Sequence, residues 1–170
     1  NITNFGEAFS FCAINTITFS LGDISNWDTS NVTSLYGMFW HAGEASKTFF
    51  IGTLSNWNTS NVTNLGAMFD YGFANAETFA LDLSSWDVSK VTNASFMFSS
   101  GGREATTWTI GDVSTWDTSN MTNMAAMFQN AGTKATYSLD LSGWNVSKVT
   151  NHSSFNAHSD TKIIPPVWVN

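Results

Sequence analysis

An α/β solenoid of about five and a half strand–turn–short-helix units, each of roughly 30 residues, is the architecture this 170-residue sequence predicts. Three observations carry the prediction. Tryptophan recurs at Trp27, Trp57, Trp86, Trp116 and Trp144, at intervals of 30, 29, 30 and 28 residues. A nearly constant string starts at each: WDTSNVT (27–33), WNTSNVT (57–63), WDVSKVT (86–92), WDTSNMT (116–122) and WNVSKVT (144–150). The residues before each tryptophan alternate with period two, whereas those after it recur at three to four.

The strand comes first in each unit. A threonine and an aromatic open it at Thr18-Phe19, Thr48-Phe49, Thr78-Phe79, Thr107-Trp108 and Thr136-Tyr137. A Leu or Ile follows two residues later, at Leu21, Ile51, Leu81, Ile110 and Leu139. In the third unit Phe79, Leu81 and Leu83 fall on one side and Thr78, Ala80 and Asp82 on the other, the pattern of a half-buried strand. Three units carry an extra residue with a glycine, in LGDISNW (21–27), IGTLSNW (51–57) and IGDVSTW (110–116), against LDLSSW (81–86) and LDLSGW (139–144). An inserted glycine inside an extended segment predicts a β-bulge.

The short helix is expected after the tryptophan. Val62, Leu65 and Phe69 stand at i, i+3 and i+7, as do Val32, Leu35 and Phe39, and Met121, Met124 and Phe128. Asp, Thr and Ser before these runs are N-cap types. A Met-Phe pair follows in four units, at 38–39, 68–69, 97–98 and 127–128, before a loop with Gly and small residues. One unit buries too little to fold alone, so the units are expected to stack, with equivalent residues in columns.

The ends keep the register. Asn1-Ile2-Thr3 matches Asn31-Val32-Thr33, so the chain opens mid-repeat and is expected to be a piece of something longer. The solenoid is assigned to residues 1–160, and residues 161–170, with Pro165 and Pro166, to a capping or linker tail.

Composition narrows the function. Charged residues are 11% of the chain, against about 25% in an average domain. The net charge of −7 argues against nucleic acid and against an electrostatic hold on anionic lipid. No apolar run reaches the 18 or more residues of a membrane-spanning helix, so no membrane insertion is expected in this segment. Cys12 is the one cysteine, so no internal disulfide can form. It is expected to be a small apolar filler, because the sequence offers no basic partner for a reactive thiol.

The segments WNTSNVTNLGAMF (57–69) and WDTSNMTNMAAMF (116–128) strongly resemble the BspA-like leucine-rich-repeat proteins and the related short-repeat bacterial surface lipoproteins. The likeness covers nearly the whole chain, although the units here are longer in the loop after Met-Phe. It implies a right-handed leucine-rich-repeat-like solenoid with a parallel sheet along one face, displayed at a bacterial surface. It implies adhesion to host or matrix proteins or glycans, and brings no catalytic residues.

Candidate functional residues follow from what varies. Histidines 41, 152 and 158 occupy no shared motif position, and no HExxH, GxSxG, P-loop or CxxC is present, so no enzyme and no cofactor are expected. Asp28, Asn58, Asp87, Asp117 and Asn145 form an oxygen column that could suit calcium, but caps explain it better. The many N-x-S/T triplets arise from the repeat itself. Trp40, His41, Tyr71 and Phe73 lie in the variable loops, where binding residues concentrate. On the outward strand face run Thr18, Thr48, Thr78, Thr107 and Thr136, with Phe50 and Thr109 in the next column. The expected function is non-catalytic adhesion at the cell surface through these residues. The alternatives are a rigid spacer in a larger surface protein, and an ice-binding face on the threonine ladder.

Overall fold

The computed structural model describes residues 2–169. Six short strands appear in chain order: β1 (Thr18–Ser20), β2 (Thr48–Phe50), β3 (Thr78–Ala80), β4 (Thr107–Thr109), β5 (Leu139–Asp140) and β6 (Ile163–Ile164). All pairings are parallel, β1 with β2, β3 with β4, and β5 with β6. A second parallel column links Asn4, Ser34, Asn64, Asn93, Asn123 and Asn151, one residue from each successive coil. The chain is therefore a stack of coils of about 30 residues, each coil bonded along its length to the next.

The short helix expected at 62–69 and its equivalents does not form, and no helix occurs among the described residues. A ribbon of tight turns takes its place. Leu65, Ala67, Phe69 and Tyr71 send their N–H groups to Asn93, Ser95, Met97 and Ser99 of the next coil. The residues between them bond backwards by three, Met68 to Leu65, Asp70 to Ala67 and Gly72 to Phe69. Every backbone donor along 65–72 except that of Gly66 is thus met by backbone, alternately across coils and within a turn, and Gly66 N–H goes to Asn64 Oδ1 at 3.0 Å. Closing these turns needs left-handed backbone at recurring positions, taken by Ala67, Tyr71 and Phe73 in one coil and by Gly37, His41 and Gly43 in the coil before.

Corners are made by side chains. Asp28 Oδ1 accepts the Ser30 N–H at 3.1 Å, and Asn58, Asp87, Asp117 and Asn145 accept from the serine two residues on in the same way. These residues cap turns rather than helices, using the same acceptor chemistry. Asp82 with Ser84 in the third coil and Asn93 with Ser95 in the fourth repeat the device at two further corners.

The core is a set of columns. Trp57, Trp86, Trp116 and Trp144 are buried, and each indole N–H donates to a carbonyl of the preceding coil, at Ile24, Leu54, Leu83 and Val113. Phe39, Phe69, Phe98 and Phe128 stack at centroid distances of 5.4, 5.7 and 5.3 Å. The extra glycines have the conformation expected of bulges, with φ of +74° at Gly22 and Gly52 and +79° at Gly111. Residues 161–169 continue the stack: β6 pairs with β5, and the Trp168 ring lies 4.1 Å from His152 and 5.0 Å from Phe155. Cys12, expected to be a core filler, is exposed.

The sheet is not continuous. In the first junction Leu21 N–H bonds Phe50 O and Ile24 N–H bonds Ile51 O, and in the third Leu81 and Leu83 bond Thr109 and Ile110. The equivalent bonds from Ile51 and Leu54 to the third coil, and from Ile110 and Val113 to the fifth, are not made. Each interruption falls where a coil with the bulge glycine is followed by one without it, so the extra residue carries the strand end out of register.

Candidate functional site

Two outward surfaces gather the variable side chains. The first is built on the left-handed position of the turn ribbon. Phe11, His41 and Tyr71 occupy it in three successive coils, with φ of 55°, 53° and 53°, and their side chains reach the surface. Coil spacing then forces their rings into contact. His41 stacks on Phe11 at 4.8 Å and on Tyr71 at 4.8 Å, with interplanar angles of 7° and 3°. Trp40 meets the edge of Phe11 at 4.9 Å. His41 Nδ1 lies 2.6 Å from Glu44 Oε2, so a carboxylate orients the imidazole. Phe11 is half exposed, and in the later coils Ser100, Asn130 and His158 take the same backbone position.

Asp70 lies beside this stack, in the column of Trp40. Burial pushes its carboxyl above the ordinary 3.8, while Ser99, the His41 charge and Trp40 pull the other way. The exposed corner aspartates shift oppositely: Asp28, Asp82, Asp87, Asp112 and Asp117 sit below 3.8, because the serine hydroxyl two residues on, and then its N–H, bond the carboxylate. A carboxyl depressed in the folded state stabilises it above the unfolded pKa of about 4, and that support is lost as pH falls through the folded value. A raised carboxyl acts in reverse: its neutral form is favoured, and the benefit is lost as pH rises. The melting temperature should therefore stay level from pH 7 to about 4.5 and fall below about 4. Asp70→Asn should melt higher than the parent at pH 7, with the gap closing by pH 3. A gap that persists in acid would show that Asp70 is not a buried charge.

The second surface is the strand face. Thr18 and Thr48 sit side by side, with hydroxyls 3.4 Å apart, and Thr78 pairs with Thr107. Thr109 lies opposite Ala80, and Thr136 is exposed just before β5. The ladder is broken at the two sheet interruptions, so it is three short pieces rather than one flat face. Between β2 and β3 the break opens a slot of about 310 Å³ lined by Lys47, Thr48, Phe50, Gly52, Glu77 and Thr78, among others.

Trp40, His41 and Tyr71 are thus brought together, and Thr48, Phe50 and Thr78 meet at the slot. Phe73 belongs to neither. It is 0% exposed, stacked on Phe49 at 4.0 Å and edge-on to Phe19 at 5.2 Å. Placed in the variable loop by sequence, it is a packing residue, because its backbone position faces inward. The second, fourth and fifth coils carry Gly43, Gly102 and Gly132 there, and the first carries Ala13. The residue that sequence reasoning missed is Phe11, whose register with His41 and Tyr71 was readable at intervals of 30 residues.

Among the described residues no three His, Cys, Asp or Glu side chains converge as a metal site, and no helix is long and apolar enough to cross a membrane. A parallel coil stack with a repeated interior defines a repeat protein. The chain belongs to the family described as "Mycoplasma protein of unknown function, DUF285", whose model matches residues 3–105 and again 103–162. No curated protein and no solved structure matches the chain.

Proposed function

We propose that this chain is a non-catalytic adhesion segment, displayed at a bacterial cell surface, that binds a host or matrix protein or a glycan through its outward aromatic side chains. In this reading it is kin to the BspA-like leucine-rich-repeat surface proteins, and its coils wind right-handed. One observation supports binding over a plain spacer. Outward aromatics are more numerous in the first three coils, at Phe11, Tyr36, Trp40, Phe50 and Tyr71, than in the fourth and fifth, where Phe96 is exposed but Thr109 and Ser138 stand in the column of Phe50 and Asn130 in that of Tyr71. A spacer has no need of such an asymmetry, and exposed aromatics supply contact area at low entropic cost.

The test is a screen of the chain against immobilised matrix proteins and a glycan array. Trp40→Ser/Tyr71→Ser should weaken any capture at least tenfold and leave the melting curve nearly unchanged. Absence of all capture by the parent chain would favour the rigid spacer.

A further inference from the structure

We infer that the slot between β2 and β3 is a binding site for a neutral saccharide, an inference that rests on the adhesion reading and gives it a ligand class. The slot exists because the bulge at Gly52 is not repeated in the next coil, so Ile51 N–H, which would otherwise bond the third coil, has no backbone acceptor there. A donor left facing a cleft favours a ligand that brings its own acceptor.

The slot is closed at both ends. Glu77 N–H bonds Lys47 O at 3.0 Å on one side, and Trp86 Nε1 bonds Leu54 O at 2.9 Å on the other. Inside, the coils stay together, with Phe49 and Phe79 centroids 6.0 Å apart. Adding a strand between two others needs roughly twice the 4.8 Å strand spacing, so an extended peptide does not fit. What fits is short and compact. The volume of about 310 Å³, continuous with a further region of about 570 Å³ through Phe50, Gly52, Ala80 and Leu81, lies within the ~300–1,000 Å³ range of small-molecule sites.

The lining has two characters. Phe50 is 55% exposed and is the single aromatic in an outward column otherwise made of Ser20, Ala80, Thr109 and Ser138. Ala80 across the slot leaves its ring face clear. Thr48, Thr78, Glu77 and Lys47 line the slot with it, and these residue types carry hydroxyl, carboxylate and ammonium groups. An apolar ring face beside hydroxyl, carboxylate and ammonium partners matches a pyranose, whose C–H face is apolar and whose rim is all hydroxyl. Lys47 and Glu77 carry opposite charges, and a chain of net charge −7 repels polyanions, so the sugar is neutral.

The experiment is an NMR titration of the whole chain with glucose, galactose, mannose and N-acetylglucosamine, each to about 20 mM, the weak end of the affinity scale. At least one should shift the amides of Phe50, Ile51, Gly52 and Ala80, and Phe50→Ser, an exposed change that leaves the fold intact, should weaken that binding at least tenfold. No shift at the slot with any of the four sugars, or shifts undiminished in Phe50→Ser, or slot shifts produced instead by extended peptides, would overturn the inference. If the slot is silent while capture through Trp40 and Tyr71 persists, the saccharide site alone fails. If both are silent, the adhesion reading fails with it.

Discussion

Trp86→Ala should destabilise the chain by ~3–5 kcal/mol, the cost of emptying a large aromatic site in a packed core, and lower the melting temperature on the order of 10 °C. Trp86 is 4% exposed and lies 6.4 Å from Trp57 in a nearly parallel stack. Its indole N–H also closes a 2.9 Å bond to Leu54 O. Removing it leaves a cavity and an unpaired carbonyl in the middle of the array, where two coil junctions depend on it. Trp27→Ala should cost clearly less, because Trp27 is only half-buried. Equal losses at the two sites in calorimetry would contradict nearest-neighbour stacking.

Phe73→Ala should be of similar size, ~3–5 kcal/mol, because the ring fills the space between Phe19, Phe39 and Phe49. Phe73→Gly gives a sharper readout. The residue has φ of +50°, a conformation costing a side-chain-bearing residue roughly 1–2 kcal/mol. Glycine loses the same ring but relieves that strain, and three other coils already use it there. Phe73→Gly should therefore be more stable than Phe73→Ala by about 1 kcal/mol in urea unfolding. The reverse order would show that the left-handed backbone is not held in solution. Phe73 also accounts for Phe49 being only partly buried where Phe19, Phe79 and Trp108 are covered.

The period of the repeat, the parallel strands and the tryptophan and phenylalanine columns were legible because each rests on side-chain identity recurring at one interval. The bulge glycines were legible for the same reason. The helix was not, and Val62, Leu65 and Phe69 explain why. Overlapping turns that bond back by three also bring every third or fourth residue inward, so their spacing imitates a helix face. One feature could have separated the cases: Gly or Asn recurs at the left-handed positions Gly37, Gly43, Gly102, Asn130 and Gly132. The aspartates and asparagines were read correctly as caps but assigned to the wrong element, since an acceptor two residues before a serine serves a turn as well as a helix start. Of the candidate residues, the outward threonines followed from register, and Trp40, His41 and Tyr71 from their place in the variable loops. The slot did not, because it arises from a mismatch between two coils rather than from any residue in either.

Scalar couplings across hydrogen bonds, measured by NMR on the isotope-labelled chain, test the helix-free coil stack most directly. The structure predicts couplings from the amides of Leu65, Ala67, Phe69 and Tyr71 to the carbonyls of Asn93, Ser95, Met97 and Ser99 in the next coil. Couplings from Phe69 to Leu65 and from Tyr71 to Ala67, the i to i−4 pattern of an α-helix, would contradict it.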